Sequence, residues 1–367
     1  MTGMWQSTND VLTYLSNLPT QTAKRVLTGQ HYPEWQSAAQ SDTDYGRGQA
    51  ILGTTVLMGT DDDYSTQDDR AARMSAHLQA GGLVLLDIHP ANPTAAIGTR
   101  NIGSAWFNGS GAKPALNKLW YAATSSTMRT VWWQEVDRLV AFLNKLPAGA
   151  VIIFRPFHEA NGSYFWWGKD LTMSDTTRSA QLVQLTLDLK NYITARTNLQ
   201  IIWMHAGNGL DWEAPISFGR PTWVDMVGAS LYSNTEQFVN KFANTYQDLV
   251  GTGKPVMLSE AGPDESVANG NPNGTWDSTT IINSVRANYP NIIGWQGWHE
   301  TNGNMLAPTE NQNSAALFGD PWSVNLADLP TNKAPIVTAV HVLGTFPDLA
   351  SAQAAYPNEH YINGPVI

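Results

Sequence analysis

Two glutamates stand where apolar, β-branched runs give out: Glu159 follows the run Ala150 to Phe157, and Glu260 closes Pro255 to Glu260. Two carboxyl groups facing one another across a cleft can cut the acetal bond between sugars with retention of configuration when they lie about 5 to 5.5 Å apart. One carries a proton to the leaving group; the other, ionised, attacks. Their surroundings must differ, burial raising the pKa of the acid and hydrogen-bond donors keeping the nucleophile charged. Glu159 is expected in the buried role and Glu260 in the charged one, with Arg155 and His158 as candidates to hold charge and geometry.

Other acids compete for these roles. Asp264 and Glu265 follow Gly262-Pro263, a turn signal, rather than ending an apolar run, which ranks them below Glu260. Glu300 sits in His299-Glu300-Thr301-Asn302-Gly303, an echo of His158-Glu159-Ala160-Asn161-Gly162, and is read as a cleft-wall residue. A zinc-protease reading needs a second His four positions after the first, and residues 162 and 303 are both Gly. Asp61, Asp62 and Asp63 could hold calcium, although a solvated turn explains them better. For His31 and His205 a structural role and a subsite role both stay open. No cofactor and no metal ion is called for.

The elements that must position these side chains follow one pattern. Apolar runs span Arg25 to His31, Ala50 to Gly59, Leu83 to His89, Ala150 to Phe157, Leu199 to His205, Val224 to Tyr232, Pro255 to Glu260 and Ile292 to Trp298. Helix-like segments lie between them: Asp68 to Ala80 with Ala71, Met74 and Leu78 on one side, Val131 to Leu146 behind a possible Thr130 cap, and Ser179 to Ile193. Eight strand–helix alternations predict an α/β fold, a single (β/α)8 TIM barrel. His31, Asp61, Asp87, His89, Arg155, His158, Glu159, His205, Tyr232, Glu260, Trp295 and Trp298 all fall near the C-terminal strand ends, the face on which barrels build active sites. Ala91 to Lys118 reads as a long, turn-rich loop containing Trp106 and Phe107 that walls the cleft. Residues 1–343 are assigned to the catalytic barrel and 344–367 to a tail that could form an appendage.

Composition narrows the partners. A formal charge of −10 argues against nucleic acid and anionic membranes, and no apolar run approaches the roughly 18 residues a bilayer crossing needs. Only 14% of the 367 residues are charged while 15 are Trp, which suits a cleft for a neutral polysaccharide whose flat C–H faces stack on indoles. There is no cysteine, so the redox compartment is not encoded. Met1 to Thr20 lacks the features of a signal peptide, Val11 to Leu18 reading instead as a short amphipathic helix.

The run Arg155-Pro156-Phe157-His158-Glu159-Ala160-Asn161-Gly162, followed by Phe165-Trp166-Trp167-Gly168, resembles the acid/base motif of glycoside hydrolase family 26, chiefly endo-β-1,4-mannanases. Gly29-Gln30-His31, Gly81-Gly82 before His89 and Asn92-Pro93, Leu231-Tyr232-Ser233, Ser259-Glu260 and Trp295 extend the match over roughly residues 25 to 330. The resemblance implies Glu159 as acid/base, Glu260 as nucleophile and Tyr232 bonded near the nucleophile. It also implies that Arg155, His158 and His89 line the subsites beside the scissile bond, with Trp295 as a sugar platform. Tyr164, Trp167 and Trp298 complete the expected substrate-binding set. Two departures, Tyr164 where the family usually has Trp and Ala261-Gly262 where Phe-Gly is commoner, bear on sugar specificity.

A retaining endo-hydrolase acting on β-1,4-mannan or a related β-mannose polymer is therefore expected, at an extracellular or virion-associated location. The virion alternative, a phage-borne exopolysaccharide depolymerase on the same fold, comes from Thr345 to Pro357, which resembles a segment of bacteriophage tail proteins. A third reading is a carbohydrate-binding barrel whose catalysis has lapsed; the presence of both carboxylates counts against it.

Overall fold

The computed structural model describes residues 3–33, 48–59, 67–107, 112–211, 213–233, 241–264, 274–299 and 306–330. Eight parallel strands close into a barrel: β2 (Gly29–Tyr32), β3 (Ile51–Met58), β4 (Leu83–Pro90), β5 (Val151–Arg155), β6 (Gln200–Asn208), β7 (Met226–Tyr232), β8 (Val256–Gly262) and β9 (Ile292–Gly297). Closure comes from β9, which pairs with β8 on one side and with β2 on the other through Gln30 and Gly297. The first expected strand is split at Thr28 into β1 (Val26–Leu27) and β2, because β1 also pairs with the short β10 (Ser323–Val324). The helices are α1 (Thr8–Asn17), α2 (Gln67–Gln79), α3 (Thr127–Leu143), α4 (Asp175–Thr194), α5 (Ala243–Val250), α6 (Thr279–Asn288) and α7 (Ser314–Gly319).

Strand alternation sorts the side chains into two layers. On β4, Val84, Leu86 and Ile88 pack outward with Ala71, Met74 and Leu78 of α2, the apolar side that the sequence displays. Leu83 and Leu85 point the other way, into a cluster with Ile51, Val151, Ile153, Ile202, Met226 and Ile293, and α1 joins it with Val11 and Leu15. Asp87 and His89 continue this inner series towards the C-terminal mouth, so an apolar strand base carries polar chemistry at its tip. β5 repeats the pattern, Val151 and Ile153 leading to Arg155.

Strand β8 breaks the alternation. Its register shifts between Leu258 and Ala261 against β9, and β7 shifts between Ala229 and Ser230 against it. Met257 packs inward and Leu258 outward, so strict alternation would send Ser259 in and Glu260 out. The irregularity turns both Ser259 and Glu260 to the same buried guanidinium.

Helix α3 begins earlier than the Thr130 cap expected from sequence, because the Ser126 hydroxyl accepts from Arg129 N and nucleates the preceding turn. It also stops at Leu143 rather than Leu146. The long loop after β4 contains short 3-10 turns at Ile102–Ala105 and Leu116–Lys118. Buried Arg178 of α4 ties that loop to the segment after β5, donating to the carbonyls of Pro114, Trp166 and Gly168 at 2.6–3.0 Å. The 343/344 boundary, the tail with its phage-like segment, Asp61 to Asp63, Glu265 and Glu300 lie outside the described residues.

Candidate active site

The chain leaves β5 through a strained turn. Phe157 and Glu159 both adopt the left-handed backbone conformation, with φ of 49° and 51°, which costs a side-chain-bearing residue about 1–3 kcal/mol each. Glu159 N donates to Ala206 O at 2.9 Å, and Trp167 Nε1 to His158 O at 2.9 Å, so neighbouring backbone holds the turn. Its carboxyl is thereby carried into the barrel mouth, 9% exposed. Tyr164 donates its hydroxyl to Glu159 Oε2. Glycine at 162 lets this happen, since a Cβ there would come within 2.3 Å of the Tyr164 ring.

Glu260 is 5% exposed and has a different set of neighbours. Arg155 Nη2 donates to its Oε1 at 2.5 Å and Tyr232 Oη to its Oε2 at 2.7 Å. The same Arg155 nitrogen also donates to Asp87 Oδ2 at 2.6 Å, and Nη1 reaches Ser259 Oγ at 3.2 Å. Burial by itself would weaken the guanidinium's hold on its proton, but Glu260 and Asp87 together raise the Arg155 pKa above its ordinary value. Among the described residues no cation bonds to Glu159. Its own pKa is pushed up to about 7, first by burial and then by the charge of Glu260. One carboxyl is thus held towards the neutral form while the other sits against a permanent cation, the division of labour that acid/base and nucleophile require.

A buried relay backs this centre. The Thr55 hydroxyl donates to Asp87 Oδ1 at 2.5 Å, so it must accept from His31 Nε2, 2.8 Å away. His31 Nδ1 is then an acceptor and takes the proton of His299 Nδ1 at 2.7 Å. Beside it His89 and His158 stack with ring planes 8° apart and share one proton between their Nε2 atoms at 2.8 Å. Burial lowers the pKa of His89 to about 4 and that of His158 well below its usual value, so both are neutral. Their Nδ1 atoms are buried and have no partner among the described residues.

Residues 3–328 match the model of glycosyl hydrolase family 26. The chain belongs to that family. As a family 26 member it is a glycoside hydrolase. It is 26% identical to a mannan endo-1,4-beta-mannosidase of Bacillus subtilis (strain 168), over 88% of this chain and 87% of the relative. Among solved structures, a mannanase of Bacillus subtilis aligns with a TM-score of 0.66 at 23% identity, covering 89% of this chain and 96% of the other. An endo-β-1,4-mannanase double mutant of Cellulomonas fimi gives a TM-score of 0.66 at 15% identity over 90% and 78%. The likeness of these two structures is one of fold.

Within this family 26 barrel the structure brings together Glu159, Glu260, Arg155, Tyr232, His89, His158 and Tyr164 at one mouth. Two of the expected tryptophans are not part of that surface. Trp295 is fully buried in the layer between sheet and helices, edge-on to Phe318 of α7, so it offers no face to a sugar. Trp167 is likewise buried, stacked 4.2 Å from Phe165, and its indole N–H serves the backbone of His158. Trp298, just past β9, is the half-buried one, stacked at 3.9 Å on His31 with its carbonyl held by Gln30 Nε2. His205 bonds the Ile216 carbonyl oxygen, a structural role.

Sequence reasoning placed Asp87 at the active-site face and Trp106 in the cleft-walling loop without giving either a partner, and it missed Thr55 and Asn208. An acid inside the apolar β4 run was a usable signal, because a buried carboxylate demands a cation. Trp106 is 48% exposed and packs on Tyr164 and Phe165, which no spacing in the long loop reveals.

Proposed function

We propose that this chain is a retaining endo-hydrolase of β-1,4-mannan, with Glu159 as acid/base and Glu260 as nucleophile. The observation that carries this is the unequal environment of the two carboxyls: Glu260 is bonded by Arg155 and Tyr232, whereas Glu159 is buried without a cation and shifted up to about 7. In the first step a Glu260 oxygen bonds to the anomeric carbon as the glycosidic C–O bond breaks, and Glu159 gives its proton to the departing oxygen. Ionised Glu159 then takes a proton from water, whose oxygen displaces Glu260 and restores both groups. Exposed Trp106 and half-buried Trp298 supply indole surface for sugar rings. The mannan assignment is supported by the curated relatives of similar length. A polysaccharide does not cross a membrane unaided, so the proposed enzyme meets its substrate outside the cell. Among the described residues no helix is long and apolar enough to span a bilayer.

The test is digestion of a panel of linear mannan, galactomannan, mixed-linkage glucan, β-1,3-xylan and bacterial exopolysaccharides, with proton NMR of the new reducing ends during the first minutes. Manno-oligosaccharides first released as the β-anomer are expected. α-Anomers would refute retention, and products from an exopolysaccharide alone would overturn the mannan assignment.

A further inference from the structure

Tyr164 stands immediately before the Phe165-Trp166-Trp167 run, and a directed chain of hydrogen bonds passes through its hydroxyl. It starts at the backbone. Leu210 N donates to Asn208 Oδ1 at 3.0 Å, which fixes the orientation of that amide and leaves Nδ2 as its donor. Asn208 is itself anchored at the end of β6, its N–H donating to Asn161 Oδ1 at 2.7 Å. Asn208 Nδ2 then donates to Tyr164 Oη at 3.1 Å. With that contact filling an acceptor site, the single phenolic proton is directed to Glu159 Oε2.

We propose that Asn208 and Tyr164 are positioning residues that keep the catalytic proton of Glu159 on Oε1, the oxygen that must face the glycosidic leaving group. Because Tyr164 can only donate to Oε2, a neutral Glu159 cannot carry its proton there. The same donation serves the ionised form in the second step, when Glu159 accepts from water: a carboxylate gains more from a donor than a carboxylic acid does. The ring is held for this task by Trp106 and Phe165, at 5.9 and 4.9 Å, and by the missing side chain at Gly162. This inference rests on Glu159 being the acid/base, and its test separates the two.

The experiment uses the full chain as wild type, Tyr164→Phe, Asn208→Ala and the double variant, each checked for an unchanged melting transition. The carboxyl carbon of Glu159, labelled with carbon-13 and assigned by its loss in Glu159→Gln, is titrated without substrate. In Tyr164→Phe its midpoint is expected to rise by about one pH unit. Asn208→Ala is expected to raise it less, and the double variant no further than Tyr164→Phe alone, because the two act in series. In turnover, the alkaline limb of kcat/KM on mannan should move up with the NMR midpoint while the acid limb stays. If Tyr164→Phe raises KM but leaves both midpoint and limb in place, the residue only touches sugar and the inference falls. If the midpoint rises while mannan and the other glycans are untouched, the positioning contact stands and the proposed activity is what fails.

Discussion

One nitrogen of Arg155, Nη2, serves two buried carboxylates at once, Glu260 at 2.5 Å and Asp87 at 2.6 Å. Removing the guanidinium therefore leaves two acids inside the barrel mouth without their cation. Arg155→Met is expected to cost about 3–5 kcal/mol of stability, the usual penalty for stripping one partner from a buried pair. Urea unfolding measures this, and a loss below about 1 kcal/mol would show that water reaches these carboxylates.

Glu159 is stored at a cost to the fold. Its pKa of about 7 against an ordinary 4.5 means that the folded protein binds this proton more tightly than the unfolded chain. Its contribution to stability is best below about 4.5, declines as pH rises towards 7 and is level above. Glu159→Gln stays neutral and keeps the acceptor for Tyr164. It should match wild type in stability near pH 4.5 and exceed it above pH 7 by at most about 3 kcal/mol. Turnover on mannan should fall by orders of magnitude at every pH. Melting curves at pH 4.5 and 8 give the comparison, and equal stabilities at pH 8 would mean that Glu159 is not raised.

The two tryptophans of the eighth strand region separate packing from recognition. Trp295→Ala empties a site walled by Phe318 and should cost about 3–5 kcal/mol of stability, with kcat/KM per folded molecule retained. Trp298→Ala, which also removes the ring stacked on His31, should cost less stability than Trp295→Ala but lower kcat/KM about tenfold or more through lost stacking on the sugar. Paired denaturation and kinetics on manno-oligosaccharides decide it; a catalytic defect confined to Trp295→Ala would restore the sequence-based assignment.

These two tryptophans, both expected to bind substrate, show what the sequence could and could not carry. Continuous apolar, β-branched runs and three-to-four-residue steps are local, so the barrel and most strand limits were readable from them. Glu159 was legible because a long motif surrounds it. Alternation would have turned Glu260 outward, and only the register shift beside it, a relation between β7, β8 and β9, brings it to Arg155. The choice between Trp295 and Trp298 depends on which face of β9 meets α7, and Tyr164's bond to Glu159 depends on where β6 ends. Such facts belong to pairs of distant segments and have no local signature.

Five of the eight histidines, His31, His89, His158, His205 and His299, are buried with pKa values below 6.5, burial being the first cause in each. In the unfolded chain they take up protons as pH drops through 6.5, whereas the fold refuses them, so stability is present above that pH and is lost below it. Glu159 and Asp87, both raised by burial, act in the opposite sense. The five histidines outnumber these two acids, so unfolding takes up protons on balance between pH 5 and 6. The urea midpoint is expected to climb steeply from pH 5 to 7 and then flatten. A midpoint independent of pH across this window would show that several of these imidazoles are charged in the folded protein, and the tautomer chain from Asp87 through Thr55 and His31 to His299 would have to be redrawn.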